Sequence, residues 1–360
     1  RLFKNRLWIV AGVRYEETRD NGYGPINDLS RTYQHDANGN LLRDAAGRPI
    51  KVIADTITLS NLQYQERGAH IAKNYGDFYP SLNLTYNLTS NIIVRGSYAN
   101  TISRPNYSLL VPGTTLPDPS GTSRVISVNN FDLKPWTAKN YDVAVSYYPA
   151  GGGEVSTGVF RKDIKDFFSS INLDATPELL EEYGIDKSYE TGGYMFRWLE
   201  NGGGARVDGV EFNYRQPLKF LPQWARGVNV RYNITQLHLQ GRTTADFSSF
   251  IRRSENWGVS LDRPKFNVRL NWNSRGRQRL TAIGGAAEPG TYAYVKPRLT
   301  TDIDAEYRFK KALGLFFGAR NIFSEPFIRE RYGPNTPPYA RRFERNDFGI
   351  AISAGLKGSF

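Results

Sequence analysis

Hydrophobic and polar residues alternate with a period of two along most of the chain, as in strands with one face in an apolar medium and the other in water. In 265–273, Phe266, Val268, Leu270 and Trp272 share one face, while Lys265, Asn267, Arg269, Asn271 and Asn273 share the other. In 299–309, Leu299, Thr301, Ile303, Ala305, Tyr307 and Phe309 oppose Thr300, Asp302, Asp304, Glu306 and Arg308. The same reading predicts strands near 7–18, 78–88, 91–100, 138–148, 154–165 and 206–215. It continues with 227–239, 265–273, 277–285, 299–309, 313–322 and 347–360, about twelve in all. The apolar runs 7–13 and 313–319 fall far short of the ~18 residues a membrane-crossing helix needs.

The connections carry as much information as the strands. Segments 89–91, 149–153, 274–276 and 310–312 are tight or short, and 216–226 is intermediate. Between them lie the longer 101–137, 166–205, 240–264, 285–298 and 323–346. Short and long alternate without a break. Outer-membrane barrels have this arrangement because short turns face the periplasm and long loops face outside. A soluble sandwich has no reason to keep it. The segment 20–73 reads as a large surface loop with its own hairpin, turning at Asn38-Gly39 and Gly47-Arg48-Pro49, with 57–65 as a candidate strand. The fold predicted is all-β: a transmembrane antiparallel up-and-down β-barrel wall occupying the whole of 1–360.

Aromatic residues fit that geometry. The 360 residues include 22 Tyr, 20 Phe and 6 Trp, more than the 39% hydrophobic content alone suggests. Tyr86, Tyr147, Tyr214, Trp272, Tyr307 and Phe360 are expected on the apolar face at the periplasmic strand ends, with Tyr15, Tyr98 and Tyr141 at the opposite ends. Two such girdles belong at the two membrane interfaces. In 347–360 the apolar face runs Phe348, Ile350, Ile352, Ala354, Leu356, Gly358 and Phe360, so the last strand descends to the periplasm. Neither a start methionine nor a signal peptide is visible, and the chain is expected to be the C-terminal piece of a longer precursor.

A net charge of +12 raises nucleic-acid binding as one reading. The basic residues are spread through every strand and loop, which favours contact with phosphate-rich lipopolysaccharide or an anionic ligand instead. No cysteine is present, which excludes disulfides, thiolate metal sites and cysteine nucleophiles. The histidines His35, His70 and His238 have no metal-ligand spacing. Asp302 and Asp304 share a face, but two-residue spacing on a barrel wall suits an interior charge network with Lys or Arg from neighbouring strands better than acid–base catalysis. Gly151–Gly153 and Gly202–Gly204 lack the Lys-Ser/Thr of a phosphate loop. Neither an enzyme nor an organic cofactor is expected.

Several short words now acquire a common meaning. Tyr79-Pro80-Ser81-Leu82-Asn83-Leu84-Thr85-Tyr86, Ile93-Val94-Arg95-Gly96-Ser97-Tyr98 and Thr101-Ile102-Ser103-Arg104-Pro105 resemble the barrel of TonB-dependent receptors. So do Leu133-Lys134-Pro135 with Asn140-Tyr141-Asp142, and the run Val159–Phe167. Val207-Asp208-Gly209-Val210-Glu211 and Arg320-Asn321-Ile322-Phe323-Ser324-Glu325-Pro326 belong with them. Trp136 stands where the family usually has an acidic residue, and Gly358 where a bulky aromatic is common. The resemblance implies a 22-stranded barrel, of which this chain would supply strands eleven to twenty-two. The N-terminal plug and TonB box would lie outside it.

It further implies an outer-membrane receptor that takes up a scarce nutrient (siderophore, chelate, oligosaccharide or peptide), driven through TonB. Phe360 would be part of the signal read by the barrel-assembly machinery. An alternative is a receptor-like barrel serving as the platform of a surface complex, with a surface lipoprotein among its partners. A third is a soluble β-rich carbohydrate enzyme. Ligand recognition is expected on the long loops and upper inner wall, with Arg104, Asn106, Tyr107, Trp136, Trp198 and Trp257 as candidates, because aromatic rings stack on sugars or chelates and Arg offers a forked donor.

Overall fold

The computed structural model describes residues 6–118, 121–241, 250–283, 291–310 and 313–358. Twelve strands form one antiparallel meander: β1 (Leu7–Asn27), β2 (Tyr64–Asn87), β3 (Ile92–Ser103), β4 (Trp136–Tyr147), β5 (Glu154–Lys165) and β6 (Ala205–Pro217). The second half is β7 (Val228–Gly241), β8 (Arg253–Asp262), β9 (Phe266–Arg275), β10 (Arg298–Lys310), β11 (Leu313–Arg320) and β12 (Ala351–Gly358). Each pairs with its sequence neighbours, and β12 and β1, apart from Ile26 and Asn27 at its upper end, form the two open sides of this wall. Among the described residues no helix is long and apolar enough to cross a membrane.

The register joins the alternating faces into one continuous surface. Leu7, Ile9, Ala11, Val13 and Tyr15 on β1 lie opposite Tyr86, Leu84, Leu82, Pro80 and Phe78 on β2. The same face continues through Tyr98–Tyr141, Val143–Val159–Val210, Tyr214–Tyr232–Trp257–Trp272 and Leu270–Ile303–Ala319–Ile352. Many of these side chains are exposed, among them Val13 at 67% and Ile352 at 68%. An apolar band facing outward without cover needs a hydrocarbon solvent. From Leu7 to Tyr15 the strand rises about 27 Å at ~3.4 Å per residue, or about 19 Å after a ~45° tilt. With the end rings added, that approaches the ~25 Å apolar band of an outer-membrane barrel.

The turn geometry follows from local chemistry. At 88–91 the Thr89 hydroxyl accepts from the backbone N–H groups of Asn91 (3.2 Å) and Ile92 (3.0 Å), closing the connection to β3. Across the β5–β6 ladder Gly209 lies opposite Phe160, and a Cβ there would fall inside the Phe160 ring. The ring replaces the missing side chain on the polar face.

Three sequence expectations change. The segment 240–264 contains a membrane strand, β8, whose apolar face holds Trp257, Val259 and Leu261. Its upper end puts Arg253 and Glu255 on that same face, so the alternation begins late. Conversely, the strand expected over 277–285 is the short Gln278–Ala282, which pairs with Tyr292–Val295 in a separate four-stranded loop sheet completed by Phe327–Tyr332 and Arg342–Asn346. The tight turn lies at 263–265, so β9 runs opposite to the expected direction. Phe266, not Trp272, stands at its short-turn end, opposite Tyr307. The two errors offset each other, leaving short and long connections in the same alternation.

The third change concerns 20–73. β1 runs on to Asn27 and β2 begins at Tyr64, leaving 28–63 as their connection. Within it Gly39 and Gly47 take left-handed φ values of 82° and 78° at the expected turns. Residues 56–63 are a helix, not a strand, because Asp55 caps it: its carboxylate accepts from the Thr58 N–H at 2.8 Å. Phe360 and the turn at 311–312 lie outside the described residues.

Candidate ligand-recognition face

The face opposite the apolar band is polar and internally paired. On it Arg320 of β11 meets Asp304 of β10 at 2.8 Å, and Arg308 meets Glu306 at 2.8 Å. Asp302 accepts from the Asn321 backbone N–H (2.9 Å) and from Asn273 Nδ2 (3.3 Å). Asp304 thus meets an arginine of a neighbouring strand as expected, whereas Asp302 is held by asparagines instead. The Arg320–Asp304 pair and the Asp302 contacts cross strands and fix their register from the water side, while Arg308–Glu306 lies within β10.

At the long-loop end, two loop assemblies stand above the wall. One extends the sheet beyond β1 through Thr114–Thr115, Val125–Val128, Met195–Asn201 and Phe168–Asp174. It has its own core: Ile26, Leu116, Ile126, Val128, Leu180, Ile185 and Phe196 are buried together. Trp198, Tyr183, Tyr189 and Tyr194 pack against this cluster. Side-chain amides knit its loops, with Asn130 Nδ2 on the Leu199 carbonyl (2.8 Å) and Asn201 Nδ2 on the Lys134 carbonyl (2.9 Å). Burial pushes the Tyr189 phenol up to about 12, with the Asp28 charge adding to it.

The other assembly is the four-stranded loop sheet, rich in arginine and tyrosine. Arg277 lies 3.9 Å from the ring centre of Tyr294 and 5.3 Å from that of Tyr332. Arg279 lies 4.7 Å from Tyr292, and Arg341 lies 4.8 Å from Tyr332. On the wall itself, at the long-loop ends of β8, β9 and β10, opens a cavity of about 410 Å³, lined by Ser254, Asn256, Asn273, Arg275, Arg298 and Thr300 among others.

The sequence candidates distribute unevenly over this frame. Arg104 ties its loop to β1, donating from Nη2 to Glu16 (2.6 Å) and from Nε to the Thr18 hydroxyl (2.7 Å). Asn106 caps the single turn Tyr107–Leu110 by accepting from the Ser108 N–H at 3.2 Å. Tyr107 projects outward, 77% exposed. Trp136 begins β4 on the polar face with its ring 5.8 Å from Phe167. Trp198 belongs to the first loop assembly. Trp257 does not join them: it sits on the apolar face, stacked on Trp272 with centroids 6.2 Å apart. Arg275, Arg277, Arg298, Tyr294 and Tyr332 escaped the sequence reading. The signal available was the period-two placement of Arg275, Arg277 and Arg279, followed by Tyr292-Ala293-Tyr294.

The apolar face also changes character towards the long-loop end. A cavity of about 700 Å³ there has Val143, Val159 and Val210 on one side and Arg161, Asp208 and His238 on the other. Arg161 pairs with Asp208 and Arg206 with Asp163, both at 2.7 Å. Charged pairs directly beyond an apolar band mark the boundary between hydrocarbon and headgroups.

An antiparallel meander with an outward apolar band, a charged inner face and, among the described residues, its large loop assemblies at one end is the wall of an outer-membrane β-barrel. Within that class the chain belongs to the TonB-dependent-receptor-like β-barrel family, whose model matches residues 2–322. Among solved structures it is similar to a variant of the ferric enterobactin receptor PfeA from Pseudomonas aeruginosa, with 17% identity and a TM-score of 0.60 over 98% of this chain and 51% of that one. It is also similar to the ferric-catecholate import receptor Fiu from E. coli K12, with 14% identity and a TM-score of 0.59 over 98% and 42% of the two chains. For the ferric citrate transporter FecA in unliganded form the figures are 15%, 0.57, 98% and 43%. At these identities the likeness is one of fold. The chain spans about half the length of these proteins. No curated protein matches it.

Proposed function

We propose that this chain forms the C-terminal wall and surface loops of an outer-membrane uptake receptor. The receptor captures a scarce solute at the loops and passes it inward when TonB acts on a plug carried elsewhere in the polypeptide. The observation that carries this reading is the division of one sheet into an uncovered apolar face and a polar face that leads up to two structured loop assemblies. A wall of this kind needs lipid on one side and an aqueous lumen on the other. Unpaired strand edges are not tolerated in hydrocarbon, so the open sides of β1 and β12 call for further strands to close the barrel. The named uptake receptors of similar fold support the transport reading over a purely structural platform. In the proposed setting lipopolysaccharide surrounds the upper apolar face, and the barrel-assembly machinery inserts the chain.

The test is uptake by cells carrying the full-length receptor, with and without functional TonB, screened over ferric siderophores, oligosaccharides and peptides. Receptor-dependent uptake of one solute that disappears without TonB is expected. Receptor in the outer membrane with no TonB-dependent uptake, together with recovery of a stable surface lipoprotein complex, would support the platform instead.

A further inference from the structure

Arg275 and Arg298 are direct register partners across the β9–β10 ladder, at its long-loop end and on the polar face. Like charges directly opposite in a sheet repel, so folding alone does not favour this pair. Among the described residues neither arginine is in an ion pair with a carboxylate, although thirteen such pairs occur elsewhere. Arg298 Nη2 donates to the Glu325 carbonyl at 3.1 Å, but among the described residues its buried Nε has no acceptor. A buried donor left unmade is costly, and more so on a cation. Asp302, on the same face of β10, is already engaged by Asn321 and Asn273.

These two arginines line the 410 Å³ cavity, a volume in the range of small-ligand sites. The rest of its lining includes the hydroxyls of Ser254 and Thr300 and the amides of Asn256 and Asn273. Two residues beyond Arg275, Arg277 lies against Tyr294 and Tyr332 and carries the line of cations onto the loop sheet. A planar carboxylate matches the fork of a guanidinium and would relieve the repulsion between the two arginines. Hydroxyl and amide side chains beside it match the hydroxyls of a sugar ring.

We propose that this cavity recognises the carboxylate of an acidic saccharide, held by Arg275 and Arg298, with Asn256, Asn273, Ser254 and Thr300 binding its hydroxyls. The proposal rests on the uptake reading only for placing the cavity on the side from which ligand arrives.

The experiment is calorimetric titration of the full-length receptor in detergent with trigalacturonate and with its fully methyl-esterified form, which keeps the shape but loses the charge. Micromolar-to-millimolar binding of the acid is expected, with the ester weaker by about tenfold or more. Arg275→Gln and Arg298→Gln should each weaken the acid by about tenfold, while Arg331→Gln on the loop sheet leaves it unchanged. Arg275→Gln should also leave the melting temperature of the empty receptor unchanged or raised, which separates lost recognition from lost folding. Equal binding of acid and ester, unaltered binding by both variants, or no binding of the acid would each overturn the proposal. Uptake of labelled trigalacturonate with and without TonB separates the two claims. Binding without TonB-dependent uptake leaves the site standing and removes the transport reading, whereas TonB-dependent uptake of another solute by a receptor that ignores trigalacturonate does the reverse.

Discussion

Replacing Phe196 by alanine should open the first loop assembly while leaving the membrane wall intact. Phe196 is fully buried at 0% exposure, and its ring centre lies 5.5 Å from that of Tyr183. Its neighbours Ile126 and Leu180 are also fully buried, so little can move in to fill the space. Phe-to-Ala changes in such positions cost ~3–5 kcal/mol, the lost transfer energy plus the cavity. The assembly has only seven buried apolar residues, so a loss of this size is a large part of its local stability. Hydrogen exchange followed by mass spectrometry on the full-length receptor reads this directly. Protection of 168–174 and 195–201 should fall by roughly two to three and a half orders of magnitude, with β4–β9 unchanged. Unaltered protection in those segments, or an equal loss throughout the wall, would refute the independence of this core.

Other consequences are simpler to measure. Gly209→Leu should displace the Phe160 ring and destabilise the β5–β6 pairing by about 1–3 kcal/mol, read as a lower unfolding midpoint in denaturant; Gly209→Leu with Phe160→Ala should recover part of it. Val259→Arg on the apolar face of β8 should cost ~2–4 kcal/mol and deplete the receptor from the outer membrane, whereas Ser260→Arg on the polar face should not. Tyr189, with its phenol raised to about 12, favours the neutral form when packed. The first loop assembly should therefore keep its full stability below pH 10.0 and lose it as pH rises towards about 12, because the opened loop releases the proton first. Trp198 fluorescence should follow this loss, and Tyr189→Phe should flatten it.

Much of the wall was legible because alternation and register encode the same fact. Where apolar residues dominate one face, as in Phe266–Trp272 and, apart from Thr301, Leu299–Tyr307, strand and orientation of the faces follow directly from sequence. β8 was missed because its upper apolar-face positions are Arg253 and Glu255, which stand beyond the hydrocarbon and mimic a loop. Gln278–Ala282 was mistaken for a membrane strand because a loop strand alternates as well. Only its partner, Tyr292–Val295, shows that it never enters the wall. The recognition face was harder to see. Single-residue chemistry drew attention to Trp257, whose face is fixed by its partner Trp272, while Arg275 and Arg298 gain meaning only when the ladder sets them side by side. Long-range pairing, twenty-three residues apart in this case, leaves no local pattern.

The central claim is that β8 and β9 are membrane strands with Trp257, Val259, Leu261, Phe266, Val268 and Leu270 towards lipid and the alternate residues towards water. This chain contains no cysteine, so single cysteines can be introduced one at a time through 253–275 and 278–282 and spin-labelled in bilayers, in a full-length receptor with any cysteine elsewhere replaced by serine. Collision with oxygen, which concentrates in hydrocarbon, and with a water-soluble nickel chelate then reports each position's surroundings. A period-two oscillation through both strands is expected, oxygen-rich at the six positions named, with 278–282 accessible to the chelate throughout. Water-exposed positions across all of 253–262, with the oscillation appearing at 278–282 instead, would contradict it.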